Sequence, residues 1–158
     1  MTAAASGAYC RAVTTSDADR KLAAILCADI AGYARLMEDD EEGTVRTLRS
    51  WREQIGALVV EHRGHVADFT GDNFLASFPT AQTAVACAIE IQGLLRARNA
   101  GLRAERRMEF RIGAHLGDVR HEGERLFGDT LNIAARLQTL AEPGGICMSA
   151  AVYEQVRG

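Results

Sequence analysis

The chain has 158 residues, 47% of them hydrophobic and 25% charged, with a formal net charge of −3. That length suits one domain able to bury a sizeable core, and the slightly acidic balance gives no general reason to expect nucleic acid as a partner. No apolar run approaches the roughly 20 residues needed to span a bilayer, so no membrane segment is expected.

Cysteines stand at 10, 27, 87 and 147 with no Cys-x-x-Cys pair. Cys27 and Cys87 lie in apolar runs and read as buried thiols of a reducing, cytoplasmic protein. Residues 1–20 are rich in Ala, Ser and Thr and lack the apolar core of a signal peptide. They read as a poorly ordered lead-in to a folded domain over 21–158.

The run Leu22-Ala23-Ala24-Ile25-Leu26-Cys27-Ala28 hardly alternates, which predicts a strand over 21–29 buried on both faces and ending on a carboxylate, Asp29. Ala31-Gly32-Tyr33 turns the chain, and Gly32 would let backbone amides come close to a ligand. The acidic stretch Glu38 to Glu42 suits a solvated helix start. A helix follows from about Thr44 to Arg63, with Val45, Leu48, Trp51, Ile55, Leu58 and Val59 as its apolar stripe.

His65 to Phe78 reads as a β-hairpin. Phe74, Ala76 and Phe78 share one face by the period-two rule. Thr70-Gly71-Asp72-Asn73 is its turn, presenting Asp72 at an exposed tip. A carboxylate ending a buried strand and another on a hairpin tip can together bind Mg²⁺, which takes one or two carboxylates plus phosphate oxygens.

Thr83 to Arg98 is a second amphipathic helix with Ala84, Ala88, Ile91 and Leu95 on one face, and Gly101 to Arg107 a connector. Glu109 to Val119 alternates as a strand, and Glu122-Gly123-Glu124 is a turn. Asp129 or Thr130 would cap a third helix, Leu131 to Leu140, whose buried side is expected from Ile133, Leu137 and Leu140. Asn132 and Arg136 sit i, i+4 on another side and can reach one ligand together. An amide beside a guanidinium suits a ribose and a phosphate. A short strand at 146–148 and a last helix from Ala150 to Val156 complete the order β-α-β-β-α-β-α-β-α. It fits an α+β, ferredoxin-like βαββαβ sheet with helices on one face.

Four ordered segments carry a resemblance: Cys27-Ala28-Asp29-Ile30-Ala31-Gly32-Tyr33, the Thr70-Gly71-Asp72 hairpin, Phe110 to Val119, and Phe127 to Leu137. Over residues 21–156 the chain resembles the catalytic domain of class III nucleotide (adenylate/guanylate) cyclases. The resemblance implies a homodimer with active sites at the subunit interface. Asp29, Asp72 and the Ile30 carbonyl of one subunit would hold two Mg²⁺ or Mn²⁺ ions. Ala31, Gly32 and Tyr33 would form a phosphate-binding loop. Asn132 and Arg136 of the other subunit would orient the ribose and stabilise charge on the α-phosphate. The expected reaction converts ATP or GTP to a 3′,5′-cyclic monophosphate and pyrophosphate, in signalling.

The sequence departs from the family pattern in two places. The adenine-reading lysine of the family corresponds to Asp68, and its acidic or threonine partner corresponds to Arg125, so the charges are inverted. Asp68 can only accept while ionised and Arg125 can only donate, which predicts modest GTP preference or weak discrimination and not strict ATP selectivity. The family's C-terminal hairpin, with its triphosphate-binding lysine, is expected to be lacking because the chain ends at Gly158.

Two other classes compete with the enzyme reading: a degenerate nucleotide-binding or dimerisation module on the same fold, and another ferredoxin-like nucleotidyl transferase. The absence of Gly-x₄-Gly-Lys-Ser/Thr argues against a P-loop enzyme. His62, His65, His115 and His121 lack a zinc-ligand spacing.

Overall fold

A computed structural model describes residues 20–158. The expected lead-in thus lies outside the described residues except for Arg20, which already belongs to the first strand.

Strand β1 (Arg20–Ile30) runs through the middle of the sheet. Ala23 to Ala28 are all buried, as the unalternating run predicts. Ala24, Leu26, Ala28 and Ile30 join one core cluster; Ala23, Ile25 and Cys27 join another on the opposite face. Gly32, at φ 68°, then starts a helix α1 (Tyr33–Asp39). The turn reading of 31–33 overlooked it, because seven residues show too little periodicity. The Asp40 side chain accepts from the Gly43 amide at 3.0 Å. This cap, with Glu41 and Glu42 in the first turn, opens α2 (Glu41–Glu61) earlier than the expected Thr44. Leu48, Trp51, Ile55 and Val59 are its buried stripe, while Val45 is largely outside it.

Strands β2 (His65–Thr70) and β3 (Asn73–Phe78) form the expected hairpin, with Phe74, Ala76 and Phe78 buried. Helix α3 (Ala81–Asn99) is capped by the Thr80 hydroxyl, which accepts from the Thr83 amide. Strand β4 (Phe110–Glu122) extends past the expected end at Val119, turns at Gly123 (φ 62°) and returns as β5 (Arg125–Phe127). A three-residue strand carries no readable period. Helix α4 (Asp129–Leu140), β6 (Ile146–Met148) and α5 (Ala150–Val156) follow.

The sheet order is β2-β3-β1-β4-β5, with β6 pairing parallel to β4. The other pairs are antiparallel, so β1 to β4 with α2 and α3 form the βαββαβ unit. Helices α2, α3 and α5 pack on one face through Trp51, Ile55, Ile91, Leu95 and Val152. Helix α4 departs from the one-face expectation and covers the other, over Ile25, Cys27 and Val119.

The buried side of α4 is also different from the one expected. Thr130, Ala134 and Gln138 are buried, whereas Ile133 and Leu137 are half-buried and Leu140 is 73% exposed. Two glycines of β4 explain this. A Cβ at Gly113 would lie 2.3 Å from the Ala134 carbonyl oxygen and the Gln138 nitrogen, and one at Gly117 would lie 2.5 Å from the Thr130 hydroxyl. The helix therefore rests backbone-to-backbone on the strand, which selects small residues for the seam. Neither Asp129 nor Thr130 caps it: the cap position is Gly128 at φ 136°, and Thr130 donates its hydroxyl to the Asp118 carbonyl at 2.7 Å. Among the described residues, no helix is long and apolar enough to cross a membrane.

Candidate active site

Asp29 lies near the end of β1, opposite Arg111 on β4. The pair is bidentate: Arg111 Nε donates to Oδ1 at 2.9 Å and Nη2 to Oδ2 at 2.6 Å. Both side chains are largely withdrawn from solvent, so the contact is a strong one. Asp29 holds the Arg111 guanidinium above its ordinary pKa, and the Asp72 charge acts in the same direction. Asp72 therefore lies within electrostatic reach of the same guanidinium. The register leads to the same neighbourhood, since the last β1–β3 pair is Ala28 with Phe74, one step from Asp29. Asp72 is half-buried and not fully exposed at the tip.

The side of the sheet follows from the register. Cys27 pairs with Gly113, beneath α4, so Asp29 and Arg111, two residues along each strand, are on the α4 side as well. On α4 itself Thr130, Ala134 and Gln138 face the sheet, and Asn132 and Arg136 are exposed. They lie one turn apart on the outward face. Asp29 and the Asn/Arg pair thus lie on one side of the sheet without the pair turning inward.

At 31–33, the Ala31 amide donates to the Glu109 carbonyl at 2.8 Å and is committed to the fold. Gly32 is the left-handed residue that starts α1, and Tyr33 packs against the core.

Asp68 reaches its position through a β-bulge. Val66 pairs with Ala76, but the next pair is Asp68 with Leu75, leaving Ala67 as the extra residue. Without the bulge Asp68 would oppose Phe74, whose ring is in the other core cluster. The bulge moves it to the α4 side, beside Leu75. There it accepts from the Thr70 hydroxyl at 2.6 Å. Arg125 stands on β5, with its guanidinium carbon 5.5 Å from the Phe127 ring centroid. Asp68 and Arg125 occupy the first and last strands of the sheet path and are not brought together.

Oxygen donors such as Asp29, Asp72 and the Ile30 carbonyl have the hardness that Mg²⁺ or Mn²⁺ requires. A cation there has to take over the Asp29 oxygens that Arg111 holds. Cys27 is no ligand, for burial pushes its thiol up to about 12 and its Sγ points at the Leu131 carbonyl, 3.9 Å away.

The family model described as the adenylate and guanylate cyclase catalytic domain matches residues 17–157. The chain belongs to that family. A putative adenylate cyclase 3 from Rhizobium meliloti is 45% identical over 140 residues, covering 88% of this chain and 24% of the relative. Of solved structures, an adenylate/guanylate cyclase/hydrolase from Silicibacter pomeroyi superposes with a TM-score of 0.78 at 42% identity, covering 87% of this chain and 80% of that one. The guanylyl cyclase Cya2 superposes with a TM-score of 0.74 at 28% identity, with coverages of 87% and 79%. The chain thus spans about a quarter of the Rhizobium relative's length.

Within this cyclase domain, two structural features escape the sequence reading: the Arg111–Asp29 pair and the burial of Gln138. Arg111 falls in the polar phase of the alternating strand 109–119; its pairing with Asp29 exists only once β1 and β4 are in register. Gln138 carried no local signal, since a helical glutamine is ordinarily solvated.

Proposed function

We propose that this domain is a nucleotide cyclase acting on a purine nucleoside triphosphate, ATP or GTP, and that its cyclic product serves in signalling. The observation that carries the reading is the placement of Asn132 and Arg136. They are exposed, one turn apart, on the helix that covers the face of the sheet bearing Asp29. A pair turned outward suits a site completed by a second copy of the chain, with the carboxylates of one copy facing the α4 of the other.

In the reaction the ribose 3′-oxygen attacks the α-phosphorus, forming a new P–O bond. The bond from that phosphorus to the bridging oxygen of the β-phosphate breaks, releasing pyrophosphate and one proton. Asn132 orients the ribose through its amide. Arg136 offers fork-shaped donors to the α-phosphate as charge builds there. Asp29, Asp72 and the Ile30 carbonyl would hold Mg²⁺ or Mn²⁺. Such ions acidify the 3′-hydroxyl and neutralise the triphosphate when bound. Arg111, once released from Asp29, is free to pair with phosphate oxygens.

The test is an assay with ATP and GTP, each with Mg²⁺ and with Mn²⁺, resolving cyclic nucleotides from pyrophosphate alone. A cyclic 3′,5′-monophosphate supports the reading. Nucleotide binding without turnover under all four conditions would make the domain a non-catalytic binding module.

A further inference from the structure

The β2–β3 turn that carries Asp72 is held from outside the hairpin, by a residue of α2. Arg52 Nη2 donates to the Gly71 carbonyl at 3.2 Å, and the guanidinium carbon lies over the Phe69 ring, 5.2 Å from its centroid. Phe69 in turn meets Phe74, its cross-strand partner, edge to face. Position 52 falls within the register of the buried stripe Leu48, Trp51, Ile55 and Val59, where an apolar side chain is the ordinary choice. Arg52 is half-buried, and among the described residues it has no carboxylate partner and its Nε has no hydrogen-bond partner. Withdrawing a guanidinium from water costs free energy that one carbonyl and one ring face offset only in part. The packing of α2 therefore does not account for a charge at this place, whereas the bond to the turn does.

That bond lands on one particular peptide group. Thr70 pairs with Asn73, so Gly71 and Asp72 are the whole loop, and the Gly71 carbonyl belongs to the peptide that joins them. Gly71 has φ 57° while Asp72 does not have positive φ, the signs of a type II′ turn with glycine first. The competing I′ turn has positive φ at both positions, and rotation of that same central peptide converts one into the other. We infer that Arg52 is a positioning residue for the metal site: by holding the Gly71–Asp72 peptide in one orientation, it fixes how Asp72 presents its carboxylate to Mg²⁺ or Mn²⁺. The inference rests on the cyclase reading and adds to it a group that touches neither ion nor nucleotide.

The experiment combines calorimetric Mn²⁺ titration in the presence of non-hydrolysable ATP or GTP analogue, the ¹⁵N resonance of the Asp72 amide in metal-free protein, and thermal melts. Arg52→Met keeps a stem over Phe69 and loses the donor. It should bind Mn²⁺ about tenfold more weakly than wild type, the scale of one bond from a charged donor, and melt within about 3 °C of it. The Asp72 amide should shift, because its peptide loses the bond on the carbonyl side. Arg52→Lys retains an N–H donor, and a carbonyl needs only one; it should recover Mn²⁺ affinity to within about threefold of wild type and return the amide signal. Arg52→Gln, whose donor falls short of the turn, should behave as the methionine variant does and decides the matter if Arg52→Met melts early. In an Asp72→Asn background, Arg52→Met should weaken Mn²⁺ no further. Unchanged Mn²⁺ affinity in a folded Met or Gln variant, an unmoved Asp72 amide, or an undiminished loss in the Asp72→Asn background overturns the inference and leaves the cyclase reading standing. A wild type that binds Mn²⁺ with neither analogue defeats both.

Discussion

Arg111 grips both carboxylate oxygens of Asp29, at 2.9 and 2.6 Å, across the β1–β4 ladder. The guanidinium thus occupies the carboxylate that would hold a divalent cation, and a metal entering without nucleotide has to displace it. A triphosphate changes this balance, because it offers the guanidinium an alternative partner of matching geometry. Mn²⁺ binding to the wild type should therefore be weak alone and strengthen when a non-hydrolysable nucleotide is present. Arg111→Gln should bind Mn²⁺ alone about tenfold more tightly than the wild type, by calorimetry or electron paramagnetic resonance. It should also lose about 1–2 kcal/mol of stability in metal-free buffer, since a half-buried carboxylate is left unpaired beside Asp72. Equal Mn²⁺ affinity in the two proteins would show that the ion pair does not guard the site.

Asn132 and Arg136 are exposed on α4 and carry none of its packing. Alanine at either position should leave the melting temperature within about 2 °C of wild type, as surface changes usually do. Cyclase activity should nevertheless fall by at least about a hundredfold, the scale of a lost oxyanion-type donor. A mixture of Asp72→Ala and Arg136→Ala chains would contain heterodimers with one wild-type site in two. Activity recovered in an isolated heterodimer would locate each site between subunits, and a dead heterodimer would mean that each chain works alone.

The seat of α4 on β4 gives a stability prediction independent of catalysis. Gly113→Ala places a Cβ 2.3 Å from the Ala134 carbonyl oxygen and the Gln138 nitrogen, both rigid backbone atoms. The helix has to lift, at a cost of about 2–3 kcal/mol by analogy with overpacked cores. Denaturant unfolding should register that loss. Gly123→Ala, where a Cβ meets nothing within 4 Å among the described residues but φ is 62°, should cost only about 1 kcal/mol from backbone strain.

His115 lies on β4 between the two seam glycines, and burial lowers its pKa from the usual 6.5. Its Nδ1 is buried without a hydrogen-bond partner among the described residues. The unfolded chain thus binds a proton near pH 6.5 that the folded chain resists. Stability contributed by the neutral ring is present above the unfolded value and is lost as pH falls through 6.5 toward the lower folded value. Melting temperature should drop between pH 7 and pH 5.5, and His115→Gln should flatten that part of the profile. An identical slope in the variant would assign the acid sensitivity to other groups.

Local sequence by itself determined the central strand, the hairpin and the two long helices. Their signals are one-dimensional: an unbroken apolar run at 22–28, alternation at Phe74, Ala76 and Phe78, and three-and-four spacing around Trp51 and Ile91. The same was true of Asn132 and Arg136, because i, i+4 spacing places two side chains on one helical face wherever the helix packs. Tertiary structure decided which face that was. The Ile133-Leu137-Leu140 stripe looks like the buried side of α4, yet Gly113 and Gly117 bring the backbone so close that Thr130, Ala134 and Gln138 fill the seam instead. It also decided where Asp68 points, through one extra residue at Ala67 that no alternation pattern reveals. Arg111 acquired its role only when strand pairing set it against Asp29, because a contact between residues 82 positions apart is a property of register and not of any local stretch of chain.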